Sequence, residues 1–567
     1  MKKLTLLTLA ILISSTAAFA QEVGRYPYMN LISGNDRLSW KVTKASWTAA
    51  DEDEFGAFVQ QIGLAAEAKK CRSFQSCMTN PAVNKFYNPA DAAVRYFADC
   101  ADVPYWLRIY FAWKKGLPMS MTSNTVPRDP NDPKGTSRNS TILGNRVSQR
   151  ADSIARNGRF PDITQFLSSI SSHGLILDSV SSGTLRTPVK PDASEPLADF
   201  YPIAINRASV KPGTVVYTAD GHVAIVYKID LDGNIRTLNG HPADPNAAQS
   251  PLSVRDYNDT FKRSRQEHGS IFKNFRPLEV VGFTRDVNGF LIGGSVRFKS
   301  DAEINASGIL AKADTQQVDR KFGSTSDYFM FVRRNMASGD LKMDVVLEFK
   351  RSLKNVCDTV QGRVELVDQA ARSGIDSQEL VNAPENIFST HGEWENYSTP
   401  SRDVNIRVLF KKALDDLRTS VRALRAGDTT YVYAKPLSQL PQELLNVYKE
   451  KALSCTVSFT SRAGVQKTLN LEEVRQRMFK ISFDPYQCAD LRWGDEAAGK
   501  ASCPEDMRWY NAQQYLRNMT EKVVNNTNLT VDQMERENSV RNKSFEWNTD
   551  VRQYIVELNS VINASAK

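Results

Sequence analysis

Seven cysteines constrain this chain more than any other feature: Cys71, Cys77, Cys100, Cys357, Cys455, Cys488 and Cys503. The chain opens MKKLTLLTLAILISSTAAFA-QEV. Lys2 and Lys3 form a charged start, Leu4 to Ile13 a short apolar run, and Ala18-Phe19-Ala20 a small-x-small cleavage site. Residues 1-20 therefore read as a cleaved secretory signal, too short for a spanning helix. The expected location is periplasmic or secreted, where thiols are oxidised in pairs. Six cysteines allow 15 pairings, and spacing favours some of them. Cys71 and Cys77 close the tight loop CRSFQSC, Cys488 and Cys503 close a second local loop, and Cys357 with Cys455 tie two distant segments. The odd cysteine is Cys100. A thiol left over in an exported protein is either packed away or used.

Length and charge narrow the class. The 567 residues, less the signal, suffice for several domains, and the net charge of +8 falls to +6 without Lys2 and Lys3. The basic residues are scattered, so no nucleic-acid stripe forms. No later apolar run is long enough to span a bilayer, so no transmembrane segment is expected. No metal-ligand spacing, phosphate loop or dinucleotide motif occurs, and no cofactor is expected.

Patterning divides the chain near residue 300. Before it, a helix with Thr48 or Asp51 near its cap buries Phe55, Phe58, Val59 and Ile62. A second helix carries Trp106, Ile109, Tyr110 and Trp113 on one stripe and stops at Gly116 and Pro118. Residues 120–145, rich in Pro, Asn and Ser, read as an exposed loop, followed by short helices near 146–156 and 162–172 and an extended connection over 183–212. Two hairpins follow, one turning at Asp232-Gly233 and one within VVGFTRDVNGFLIGGSVRF. After residue 300, stripes from Val346 to Val367 and from Ile406 to Leu424 predict long helices, and a third helix is expected over 504–524. TTYVYAKP and CTVSFTSRAGVQKTL predict strands between them. The expected fold class is α+β, with residues 21-300 as one domain and 301-567 as a separate, mainly helical α+β region.

The candidate chemistry centres on Cys100. It stands at the first turn of the aromatic helix in YFADCADVPYWLRIYFAWKKGLP. The helix dipole and unsatisfied N–H groups there favour a thiolate, which is the attacking form, and the Cys100 N–H suits an oxyanion. A nucleophilic cysteine needs a base. Of His173, His222, His241, His268 and His391, His222 opens the strand GHVAIVY, which fixes its direction. Folding about Asp232-Gly233 sets Val226 opposite Asn239 and Ala224 opposite His241. Asn239 and His241 then share a face with His222, and either is suited to orient the imidazole.

A helix opening with DC and ending in KKGLP, followed by PGTVVYTADGHVAIVYKID, resembles the papain-like amidohydrolases of bacterial walls, the NlpC-type and CHAP families. The resemblance covers roughly residues 86 to 245. It implies a papain-like core, a nucleophile helix packed on an antiparallel sheet, with Cys100 as nucleophile, His222 as base, and Asn239, or His241 beside it, as orienting group. The Tyr-x-Trp-Gly-Gly run that precedes the NlpC-type cysteine is absent, and 122 residues separate Cys100 from His222. The segment DCADVPYWLRIYFAWKKGLP also looks like the cysteine helix of transglutaminase-like proteins.

The leading expectation is an exported cysteine-dependent amide hydrolase acting on peptidoglycan stem peptides or a related exported peptide. Two others stand beside it. One is a transglutaminase-like acyl transferase on the same dyad. The other is an inactive cell-envelope binding or scaffold protein, for which Trp493 and Trp509 would offer sugar contacts.

Overall fold

The computed structural model describes residues 38–131 (except 92 and 97), 144–170, 182–186, 197–217, 222–240, 250–257, 272–314, 320–323, 325–384, 387, 393–397, 400–519, 528–542 and 547–565. The signal segment lies outside them. Among the described residues no helix is long and apolar enough to cross a membrane. The chain mixes helix and sheet, as the α+β expectation has it.

The first helix, α1 (Ala49–Glu67), starts at a capping box: Thr48 accepts from Asp51 N–H and the Asp51 carboxylate accepts from Thr48 N–H. Phe55, Phe58, Val59 and Ile62 are buried, as their spacing predicts. The Cys71–Cys77 disulfide closes the loop that holds α2 (Phe74–Met78). Helix α3 (Asp102–Lys115) ends at Gly116 in the left-handed region, φ 60°. It differs from expectation in being buried all round: every residue from Asp102 to Ala112 is in the interior. Arg108, the charge on that inner stretch, donates to both carboxylate oxygens of Glu52 at 2.6 Å and lies over the Trp47 ring. The helix is thus a core strut, not a surface element with one wet face.

At 120–127 and 145 the chain is strand rather than the exposed loop that its composition suggests, while 132–143 lie outside the described residues. β1 (Ser120–Pro127) pairs antiparallel with β2 (Asn145–Asp152), and β2 replaces the helix expected over 146–156. Tertiary packing overrides polarity here: Ser120 to Ser123 are buried, and the Thr122 N–H donates to buried Asp199 at 2.7 Å. Asp199 also accepts from Tyr105 Oη at 2.7 Å and pairs with Arg150 at 2.6 Å, joining α3, β1 and β2. Helix α4 (Ile163–Ile170) forms as expected.

The central sheet has six strands: β3 (Phe200–Pro202), β4 (Val215–Tyr217), β5 (Val223–Ile229), β6 (Ile235–Gly240), β7 (Leu252–Asp256) and β8 (Phe272–Phe275). Their order is β3-β8-β4-β5-β6-β7, and every recorded pairing is antiparallel. Each face has its own core. Val215, Tyr217, Val223, Ile225, Tyr227 and Leu238 pack toward α1 and α3. Val216, Ala224, Val226 and Ile235 pack with Ile304 of α5 (Asp301–Ser307) and with Tyr328, Val332 and Met336 of α6 (Thr325–Met336). The first helices after residue 300 therefore share a core with the sheet. The hairpin expected within VVGFTRDVNGFLIGGSVRF is present, with Leu278–Val281 paired to Ser295–Phe298.

The C-terminal helices α7 (Val345–Ser373) and α8 (Pro400–Arg425) match the two predicted stripes and pack on each other. The Cys357–Cys455 disulfide ties α7 to the end of α9 (Leu440–Ser454), beside a hairpin of Thr456–Thr460 and Gln466–Asn470. Cys488–Cys503 closes the last predicted loop. The single helix expected over 504–524 is broken instead: a 3-10 turn at Pro504–Asp506, then Met507–Ala512 and Gln514–Arg517. Buried side chains fix the interruption, because Gln513 between the two pieces donates to Asp484 at 2.7 Å and is itself buried. Trp493 and Trp509 are buried rather than displayed, which removes the sugar-contact reading.

Candidate functional site

Helix α3 is held at its start by two aspartates. The Asp99 carboxylate accepts from the N–H of Ala101 at 2.8 Å and of Asp102 at 3.1 Å, while the Asp102 carboxylate accepts from Asp99 N–H at 3.0 Å. The first i to i−4 bond runs from Val103 N–H to the Asp99 carbonyl. Asp99 and Asp102 thus form a reciprocal cap, and Cys100 sits in the first turn beside it. The half-buried Cys100 is in none of the three disulfides, whose pairings are those the spacing favours.

Two neighbours lock this segment in place. The N–H of Ala98 donates to the Oγ of fully buried Ser250 at 3.0 Å, and the Ser250 carbonyl accepts from Phe74 N–H at 2.7 Å. The Cys71–Cys77 loop, the approach to β7 and the lead-in to Cys100 are therefore one hydrogen-bonded unit. Gly240, the last residue of β6, lies against the same segment: a Cβ there would stand 2.6 Å from the Asp99 carbonyl oxygen and 3.0 Å from that of Ala98. Glycine is required because backbone meets backbone.

His222 precedes β5 directly and is half-buried. Its Nε2 lies 2.8 Å from the Oδ1 of Asn239, which is completely buried. An amide oxygen only accepts, so Nε2 carries the proton and, in the neutral ring, Nδ1 holds the lone pair. The Asn239 amide is itself anchored within 3.5 Å of the Thr237 carbonyl and hydroxyl. The strand thus supplies an imidazole with its Nε2 pinned by a buried amide.

The register that brings these residues together differs from the sequence reading. Val226 pairs with Thr237, not Asn239, and the same register continued sets Ala224 opposite Asn239, not His241. The cause is the turn. Gly233 N–H donates to the Asp230 carbonyl and Asp230 N–H to the Asn234 carbonyl, a longer loop than a two-residue turn, with Gly233 at φ 78°. A bulge between Val226 and Lys228 adds a further step. The total slip is two residues, so the shared face of His222 and Asn239 survives.

Of the four predicted site residues, Cys100, His222 and Asn239 come to one end of one sheet, since Asn239 adjoins Gly240 and Gly240 abuts Asp99. Alternation turns Asn239 to the face of Ala224 and Val226, and Gly240 to the face of α3. His241 lies outside the described residues, as do His173, His268 and His391. Asp199 and Ser250 escaped sequence reasoning. Each acts through contacts to residues 49 or more positions away, which leave no local signal.

No metal centre emerges from the described residues: the one close group of metal-binding types is Cys488, Cys503 and Asp506, and both of those sulfurs are in a disulfide. Burial pushes the Asp506 carboxyl up to about 7. Comparison of the chain with protein-family models, with curated proteins and with solved structures gives no match.

Proposed function

We propose that this protein is an exported cysteine amide hydrolase with a papain-like core, acting on peptidoglycan stem peptides or a related peptide. The observation that carries the reading is the His222–Asn239 hydrogen bond at the sheet end against which the Cys100 turn is packed. In this reading Asn239 holds Nε2 and Nδ1 takes the Cys100 proton. The thiolate attacks the amide carbonyl carbon, forming a C–S bond, and the developing oxyanion is met by backbone N–H groups of the helix start. The imidazolium returns its proton to the departing amine as the C–N bond breaks. Water, deprotonated by the same nitrogen, then attacks the thioester and frees the acid and the thiol. Asn239 contributes by holding the ring's tautomer and direction.

The test is hydrolysis of purified cell-wall peptide by the wild type and by Cys100→Ala. The variant is expected to lose activity and keep its unfolding temperature. Undiminished hydrolysis by a folded Cys100→Ala protein would end this reading.

A further inference from the structure

Two buried cations on the α3 face of the sheet belong to no ion pair among the described residues. Lys273 of β8 is 3% exposed, and its Nζ donates to the Leu185 carbonyl at 2.7 Å. The next residue in the chain, Arg186, is 4% exposed, and its Nε donates to Tyr217 Oη at 2.5 Å. Lys273 Nζ stands 5.4 Å from the centre of that same Tyr217 ring. The two charges therefore converge on one tyrosine. The Nη1 of Arg186 is buried with no hydrogen-bond partner among the described residues.

The arrangement is costly. Removing an ion from water carries a penalty of several kcal/mol unless a counter-charge repays it. At Arg108, Arg150 and Arg363 this chain repays it with Glu52, Asp199 and Asp403, and at the buried Arg407 and Arg492 with Asp403 near. Around Lys273 only burial acts, pushing its ammonium down to about 7, with no acidic group to oppose it. An unpartnered buried guanidinium N–H beside an unpaired buried ammonium has the donor set of an oxyanion site.

Its position ties it to the proposed chemistry. Tyr217 is the register partner of Val223, the residue after His222. The same register continued sets Gly240 on the far side of Val223, against Asp99. Tyr217 and Gly240 are thus two strand spacings apart, about 10 Å, on one face. We propose that Arg186 and Lys273 form a buried subsite for a carboxylate, so that the acyl substrate carries a free carboxyl group roughly 10 Å from the bond attacked. The location rests on the reading of Cys100 as nucleophile; the anion site itself does not.

The experiment measures the unfolding temperature of the mature protein against increasing N-acetyl-D-alanine and, separately, its neutral amide. Binding to the folded state raises that temperature. The acid is expected to give a saturable rise and the amide none. Lys273→Met, which removes the charge but keeps the bulk, is expected to weaken the acid's apparent affinity about tenfold or more. Equal responses to acid and amide, or no response, in the wild type overturn the proposal without any variant. An unchanged affinity in a folded Lys273→Met protein does the same. Cys100→Ala is run alongside and is expected to keep the acid response. Hydrolysis that survives in that variant ends the Cys100 reading and leaves the anion site standing. A missing acid response with Cys100-dependent hydrolysis ends only this inference.

Discussion

The sheet region and the C-terminal helical region both bury cations, and they treat them differently. In the C-terminal region Arg363, Arg407, Arg492 and Arg517 are almost wholly inaccessible. Arg363 pairs with Asp403 at 2.9 Å and donates to the Ser482 carbonyl. Arg407 donates to the carbonyls of Met478 and Ile481, and Arg492 to that of Tyr397. Asp403 attracts both Arg407 and Arg492. Among the described residues Arg363 alone of the four has an ion pair. Arg407 and Arg492 cross-link distant segments through carbonyls with Asp403 near, and Arg517 bonds close by in the chain, to Tyr510 and Gln514. Arg407, Arg492 and Arg517 each keep a buried N–H without a partner among the described residues. In the sheet region Arg186 and Lys273 meet a tyrosine and a carbonyl instead. The comparison teaches that burial alone does not mark function. What separates Lys273 from them is that acidic groups act on the C-terminal arginines, while only burial acts on Lys273.

Four outcomes would break or sharpen that contrast. The largest belongs to the site: Cys100→Ala should reduce hydrolysis by about 10⁴-fold or more, and His222→Ala by about 10²–10⁴-fold, in steady-state assays. Cys100→Ala should leave the unfolding midpoint within the scatter of repeats, while His222→Ala strands the buried Asn239 Oδ1 and should cost about 1–3 kcal/mol. The C-terminal region should respond the opposite way. Asp403→Ala strands Arg363 and should cost about 3–5 kcal/mol in denaturant unfolding, with kcat of the surviving folded fraction unchanged. A small stability loss there would mean that the carbonyls alone hold the guanidinium.

Lys273 supplies the third outcome through pH. Its folded pKa, pushed down to about 7, lies below its unfolded value near 10.4. Between those values the unfolded chain binds more protons, so this group makes stability rise with pH, by up to about 1.4 kcal/mol per unit. Its penalty is complete below pH 7 and gone above the unfolded pKa. Lys273→Met should remove that slope and be more stable than wild type at pH 6. A wild type and variant with parallel stability profiles from pH 6 to 9 would show that an anion from the chain already answers the charge. The smallest effect is Asp99→Ala. Losing the cap should cost about 1 kcal/mol and, by loosening the Cys100 turn, lower kcat more than stability alone explains.

What the sequence disclosed follows from the range of the forces involved. The disulfide pairs were legible because two of them close short loops, leaving Cys357 and Cys455 as the remaining match. The cap at Thr48 and the stripes of α1, α7 and α8 were legible because their partners lie within a turn or two. The His222–Asn239 pair was legible although the register was not, because a slip of two residues preserves the face. The strand in Asn145–Asp152 was hidden, since its sequence has no strong alternation and a single strand-forming residue, Val147, and it depends on β1 and Asp199. Lys273 was hidden for a related reason. Alternation in IFKNF sets it on the face of Phe275, but the groups that meet its ammonium, the Leu185 carbonyl and the Tyr217 ring, come from distant segments.

The central claim is that Cys100 and His222 act as one chemical unit, and thiol reactivity tests it most directly. The pH dependence of iodoacetamide alkylation, with the modified residue located by mass spectrometry, should show Cys100 reacting with an apparent pKa below the ordinary thiol value near 8.5. In His222→Ala that value should move up toward 8.5. A Cys100 with an ordinary pKa in the wild type, unmoved by the loss of His222, would contradict the account.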